Sequence, residues 1–317
     1  MARSQKRGPQ GSFLDPLLFN IFLNDMFLFV EKCSLYNYAD DNSISTASTS
    51  VDGVLTNLRI DCDNTLKWFH SNGMQANPSK FQFMLLSNSP VDKCNVSLCF
   101  DDVVLKPESH VKILGVFLDD KLSFSKHISV CCTKAARQLN ALARISRYLD
   151  MSSRILLYNS FIRSNFNYCP MVWHFCGKVN NNKIEKIQER ALRLIYKDYD
   201  SSYVDLMSAA DIPTMLTRRL RGFLLEVFKS TRSLNSECLN DMFMVKHVNY
   251  SFRNKRIIVQ PKRRNTTYGL RSISYLGAKL WNDNVSSFNE VCEIEYFAFK
   301  KIVENLDDLV MKGSDFP

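Results

Sequence analysis

Two adjacent carboxylates, Asp40 and Asp41, stand in the run Cys33-Ser-Leu-Tyr-Asn-Tyr-Ala-Asp-Asp-Asn-Ser-Ile-Ser-Thr46. Short strand-like segments on both sides of a polar turn read as a β-hairpin with the pair near its tip. Neighbouring carboxylates repel unless a cation sits between them. Hard oxygen donors suit Mg²⁺, which takes one or two carboxylates and fills its other positions with water and substrate phosphates. That donor set serves metal-assisted phosphoryl transfer. Taken alone, an Asp-Asp turn is just as readily a solvated turn. Asp101-Asp102 gives the comparison, because it lies between the apolar segments 96–100 and 103–105 without the Tyr-Ala approach, and it reads as a solvated hairpin turn.

The elements that must position the first pair follow from periodicity. Residues 16–30 read as one helix, with Pro16 in its first turn and a stripe of Leu17, Leu18, Ile21, Phe22 and Met26. After the hairpin, Asp52 is placed to cap a helix through Val54, Leu58, Cys62, Leu66 and Phe69, ended by Asn72-Gly73. Residues 80–87 alternate, with Phe81, Phe83 and Leu85 on one face of a strand, and 112–118 reads as another strand. From Ser125 the pattern turns helical: Ile128, Cys132, Ala135, Leu139 and Leu142 form one stripe, with Lys134, Arg137, Arg144 and Arg147 around the rest. Asn182 is placed to cap a helix with Ile184, Ile187, Ala191 and Leu194 inside and Lys183, Lys186, Arg190 and Arg193 outside. Pro213 opens a further helix through Leu216, Leu220, Leu224 and Phe228. The expected class is α+β: an antiparallel sheet with packing helices over 1–125, a helical domain over 126–230, and a basic, aromatic region over 231–317.

Composition bounds the partners. The 317 residues are 45% hydrophobic and 23% charged, those of a globular chain and not a disordered one. A net charge of +9 favours an anionic partner. Ten cysteines without a Cys-x-x-Cys pair, behind a polar, basic start, lead us to expect reduced thiols in an intracellular protein. The most apolar run, 13–30, is interrupted by Asp15, Asn20, Asn24 and Asp25, so no membrane span is expected. From Asn249 to Asn282 there is no acidic residue, and Arg253, Lys255, Arg256, Lys262, Arg263, Arg264 and Arg271 interleave with Tyr250, Phe252, Tyr268 and Tyr275. Cations that neutralise phosphates beside rings that stack on bases make a nucleic-acid surface; a solvated basic face is the plain alternative. Cys169, His174 and Cys176 are three ligand types in an apolar setting, where a structural zinc wants four, so they read as core residues and no structural zinc is expected.

Four stretches in order carry a resemblance: Gly8-Pro9-Gln10-Gly11-Ser12 with Leu14 to Asn20, Tyr38-Ala39-Asp40-Asp41, Asn77-Pro78-Ser79-Lys80-Phe81, and Lys112-Ile113-Leu114-Gly115-Val116. Together they resemble the later palm motifs of the reverse transcriptases of non-LTR, jockey-like retrotransposons. Tyr275-Leu276-Gly277 and Leu280-Trp281-Asn282 look like that family's C-terminal part. The resemblance implies a polymerase palm followed by a helical thumb, RNA-templated DNA synthesis, Mg²⁺, an RNA template, a DNA primer and deoxynucleoside triphosphates. By the same resemblance Asp40 is the principal metal ligand, with Asp41 an auxiliary acid and Tyr38 packing beneath the hairpin. Gln10 and Gly11 belong to the template- and nucleotide-contacting loop, Lys80 stands where relatives protonate pyrophosphate, and Leu114 and Gly115 form the primer grip. The loop at Gly8-Pro9 is one residue shorter than the family pattern, and Asp15 replaces a glycine. The family's first aspartate motif and fingers are not in this sequence, so little or no activity is expected of the chain by itself. The rival readings are a non-catalytic nucleic-acid-binding remnant and a group II intron maturase-like protein.

Overall fold

Pro16 lies in the first turn of the opening helix, α1 (Asp15–Leu23), where its missing N–H leaves no bond unmade. The computed structural model describes residues 13–87, 90–246, 258–262, 269–284 and 294–306, and its contacts divide the chain into two units, Met1–Lys121 and Leu122–Pro317. The single helix expected over 16–30 is instead α1 followed by a 3₁₀ turn, Asn24–Phe29. Tightening to three residues per turn brings Leu23 and Met26 to one side, where both are buried with Trp68. Asp25 accepts the Trp68 indole N–H at 2.9 Å and holds the tightened turn in place. The expected stripe does not form the core: Leu17, Leu18, Ile21 and Phe22 are exposed, and of its members only Met26 is buried.

The hairpin strands β1 (Ser34–Tyr38) and β2 (Asp41–Ser45) lead into α2 (Val51–Ser71), the spine of this unit. Its cap is Ser50, not Asp52. The extended Ser50 accepts the Gly53 N–H at 3.1 Å, while Asp52 sits in the first turn, where a carboxylate meets the positive end of the helix dipole. The end is as read, with Asn72 as the C-cap and Gly73 at φ 65°. Leu58 of α2 packs with Phe83, Leu85, Val96, Leu98 and Phe100. The expected strand over 80–87 is a 3₁₀ turn, Pro78–Lys80, and then extended chain that among the described residues is bridged at Phe83–Pro107 alone. Pro107 has no N–H with which to extend a ladder.

Beyond it come β3 (Leu98–Phe100), β4 (Val103–Leu105), β5 (His110–Ile113) and β6 (Val116–Asp119). The strand expected over 112–118 is thus a hairpin, folded back at Leu114-Gly115. The expected antiparallel sheet is three separate two-stranded antiparallel sheets.

The second unit is helical: α3 (Ser125–Ile145), α4 (Met151–Leu157), α5 (Pro170–Trp173), α6 (Gly177–Tyr196), α7 (Tyr203–Ala210), α8 (Met215–Ser230), α9 (Glu237–Asn240), α10 (Ile273–Asn284) and α11 (Tyr296–Glu304). The α3 stripe is buried at Ile128, Ala135, Leu139 and Leu142, with Cys132 half-buried. Helix α6 starts at Gly177, so Asn182 lies inside it and caps nothing, and Thr214, not Pro213, caps α8. Phe223, Leu224, Val227 and Phe228 of α8 form one core with Leu280 and Trp281 of α10 and with Phe299 and Val303 of α11, so this core runs on past residue 230.

A buried polar chain ties four elements together. Tyr158, in a π-helical turn after α4, donates to Gln188 at 3.0 Å, and Gln188 donates to the Tyr203 hydroxyl and the Pro213 carbonyl, each at 3.0 Å. Tyr203 in turn donates to Glu185 at 2.8 Å.

Candidate active site

Tyr38 pairs with Asp41 in the β1–β2 ladder, which leaves Ala39 and Asp40 as a two-residue turn. Such a turn matches the strand twist when its first central residue has positive φ, and Ala39 adopts φ 52° although it is no glycine. Strained backbone of this kind persists where neighbouring structure enforces it, and it collects at functional turns. Both carboxylates of the pair are exposed at the tip. Tyr36 and Tyr38 point outward, 61% and 69% exposed, while Leu35 and Asn37 turn inward. Tyr38 therefore does not pack beneath the hairpin. As the cross-strand partner of Asp41 it shares that residue's outer face.

What anchors the hairpin is a residue that periodicity does not single out. Asp61 of α2 is fully buried and accepts the N–H groups of Glu31 at 3.1 Å, Lys32 at 2.8 Å and Cys33 at 2.7 Å. Burial acts to raise the Asp61 pKa, but these three donors and the Cys33 thiol outweigh it, and the net shift is downward. The Cys33 thiol is pushed up to about 12, first by burial and then by its bond to Asp61 and that residue's charge. Two residues on, Asp63 accepts the N–H of Asp101, in the turn of the second acidic hairpin, at 2.9 Å. In sequence the sole sign of either role is a carboxylate set among the apolar positions of an amphipathic helix. Asn37 is a second omission: both polar atoms of its inward amide are shielded from solvent and have no partner among the described residues.

Lys80 is exposed at the end of its 3₁₀ turn, and among the described residues no ion pair joins it to Asp40 or Asp41. Leu114 and Gly115 form the exposed turn of β5–β6 at φ 45° and 87°, positive at both central positions as a type I′ hairpin turn requires. Gln10, Gly11, Arg253, Lys255, Arg256, Arg263 and Arg264 lie outside the described residues; Lys262 lies within them and is exposed. His174 and Cys176 are buried in the second unit and Cys169 is half-buried. Burial and the Arg219 charge push His174 down to about 3. Among the described residues no group of three or more His, Cys, Asp or Glu is gathered closely enough to hold a metal ion, so the Asp40–Asp41 pair is a two-carboxylate donor set. Exposed hard-oxygen donors of that number fit Mg²⁺, which completes its shell with water and phosphate oxygens.

Residues 2–144, which include this hairpin, match the family model described as reverse transcriptase (RNA-dependent DNA polymerase). Over these residues the chain resembles the reverse transcriptases of non-LTR retrotransposons. It is 27% identical over 200 residues to a probable RNA-directed DNA polymerase from transposon BS of Drosophila melanogaster, covering 59% of this chain and 22% of that one. It is 28% identical over 198 residues to the RNA-directed DNA polymerase from mobile element jockey of the same species, covering 59% and 21%. A retrovirus-related Pol polyprotein from type-1 retrotransposable element R1 2 of Nasonia vitripennis is 24% identical over 177 residues, covering 52% and 43%. The chain thus spans about a fifth of the length of the Drosophila relatives that it matches. No solved structure matches it. The reverse transcriptase match ends within α3, so α6 and everything after it lie beyond the family model.

Proposed function

We propose that this chain supplies the catalytic hairpin and part of the nucleic-acid surface of an RNA-directed DNA polymerase that extends a DNA primer on an RNA template. The observation that carries the reading is the Tyr38-Ala39-Asp40-Asp41 turn, two exposed carboxylates on a strained hairpin tip inside the matched domain. Asp40 and Asp41 would hold Mg²⁺. That ion, when bound, lowers the pKa of the primer hydroxyl and neutralises charge on the transferring phosphoryl group. Tyr38, on the same face as Asp41, presents a flat ring beside the position of the incoming nucleotide. Asp61 touches no reactant; it positions the hairpin by fixing the backbone that enters β1. Leu114 and Gly115 present a narrow, glycine-containing turn to the primer backbone, and Lys80 is an exposed cation available to the leaving pyrophosphate.

Primer extension on poly-rA/oligo-dT with Mg²⁺ tests the reading. Asp40→Asn and Asp41→Asn are each expected to lower extension by about 10²-fold or more, since charge stabilisation dominates this chemistry. Extension that survives both substitutions overturns the assignment of the pair. A wild-type chain that binds the hybrid in a salt-dependent way but extends nothing favours a non-catalytic nucleic-acid-binding role.

A further inference from the structure

Helix α1 is apolar on two sides and packs by one of them. Leu23 is buried with Met26 and Trp68. Facing away from it, Leu17, Leu18, Ile21 and Phe22 are 42–63% exposed, and they fall within an arc of about 140° at about 100° per residue. A helix that is apolar all round is ordinarily covered all round. The apolar surface continues past both ends of the helix, with Phe13 before it and Phe27, Leu28 and Phe29 of the 3₁₀ turn after it all exposed. Large apolar side chains offer roughly 150–250 Å² each when fully accessible, so at their exposures these eight present about 900 Å². The largest apolar patch of a typical monomer is roughly 300–600 Å², and each partner in a standard interface buries roughly 800 Å². From Phe13 to Val30 there is no Lys or Arg. That lack argues against a polyanion and against an anionic lipid surface, whose amphipathic helices carry cations on their polar side. Of the two acids in the stretch, Asp25 is bound to Trp68 at 2.9 Å, and Asp15 flanks the arc at its Phe22 edge.

We infer that this face pairs with its own image on a second copy of the chain, the two α1 helices lying antiparallel about a two-fold axis near Leu18. A two-fold interface sets one patch against itself, so charge of a single sign inside the patch would repel its image. The arc from Leu17 to Phe22 holds no charged residue and meets itself without that penalty. The antiparallel sense follows from Asp15. Parallel helices would bring the two Asp15 carboxylates together, whereas antiparallel ones set them at opposite ends and oppose the helix dipoles. None of this depends on the polymerase reading.

Sedimentation equilibrium of the full chain over a concentration series tests the pairing. The wild type is expected to fit a monomer–dimer equilibrium with no larger species. Leu18→Lys/Ile21→Lys should weaken the dimer about 100-fold or more, as the loss of two buried anchors does. Val204→Lys, at a comparably exposed apolar position on α7, should change it by less than about twofold. Because residue 18 meets its own image at the axis, Leu18→Lys and Leu18→Glu should each be monomeric alone and form a dimer when mixed in equal amounts. Thermal melts matching that of the wild type will show that the variants fold. A wild-type chain that stays monomeric overturns the proposal, and so does an open series of larger aggregates, which would make the face merely adhesive. A mixture of the Lys and Glu variants that stays monomeric overturns it as well. So does a monomer that sediments instead with neutral phosphatidylcholine vesicles, which would give the face to a lipid surface.

Discussion

The chain has two hairpins that each carry an Asp-Asp pair, and they use it differently. In β3–β4, Phe100 pairs with Val103, so Asp101 and Asp102 are both turn residues, and the Asp101 N–H is bound by Asp63. In β1–β2 the pair is shifted by one: Asp40 is in the turn and Asp41 in the ladder opposite Tyr38. Register thus sets one carboxylate of the first pair beside an aromatic face, while the second pair has only solvent and a backbone tether. Both turns take positive φ at a residue that is not glycine, Ala39 at 52° and Asp101 at 47°, so backbone strain alone does not separate the proposed catalytic turn from an ordinary one. The anchoring separates them. Three N–H groups at the foot of β1 converge on one buried carboxylate, whereas the second hairpin has a single bond at its tip.

The largest break in this comparison is Asp61→Ala. Removing the acceptor for three N–H groups is expected to cost about 3 kcal/mol, since each buried donor left unsatisfied costs ~1–3 and water recovers part of it. Urea unfolding should show the loss, and primer extension should fall with it; an unchanged midpoint would mean that the hairpin is held in some other way. Acid should then part the two units. His174, depressed to about 3, binds no proton in the native state where the unfolded chain does. Unfolding free energy should therefore rise with pH between about 3 and 6.5, so that moving from pH 7 to 5 costs up to about 2 kcal/mol. Asp61 has the opposite sense: its native pKa is lowered, so its contribution is complete above the ordinary Asp range and is lost only as pH falls below about 3.8 through the native value. Thermal melts of the wild type and of His174→Gln at both pH values check the first window, which the substitution should flatten. Asp63→Ala should cost about 1 kcal/mol, the value of one hydrogen bond, and leave extension unaltered. The smallest effect is Ala39→Gly, a gain of about 0.5 kcal/mol from relief of the left-handed conformation, read as a slightly raised melting temperature. A loss there would show that the Ala39 methyl packs on something the turn needs.

Much of this was legible in sequence because it rests on local chemistry. The β1–β2 hairpin, the Asn72-Gly73 stop and the α3 stripe follow from turn residues and periodicity. The failures come where a distant group decides. The apolar stripe of α1 could not reveal that Asp25 is claimed by Trp68, 43 residues away, so the buried side shifts to Leu23 and Met26. Alternation at 80–87 correctly marked Phe83 and Leu85 as buried, but the chain opposite gives it one bridge, with Glu108 donating to the Phe83 carbonyl at 2.7 Å, and Pro107 has no N–H to carry a ladder on. Asp61 was hidden for the reason that makes it useful. Its partners are backbone groups, which leave no trace in residue types.

Asp61 and Asp63 stand two positions apart on one helix, so their side chains leave the axis about 200° apart. A single rod therefore holds two hairpins on nearly opposite sides, like a spindle with two pegs. A residue inserted between Ser50 and Asp61 would turn Asp61 by about 100° away from the β1–β2 hairpin, which lies before the insertion, and strip that hairpin of its tether, while Asp63 and Asp101 both lie after it. The interval from the α2 cap to Asp61 is thus a measured length, and drift in that count would unseat the proposed catalytic turn without touching any residue in it.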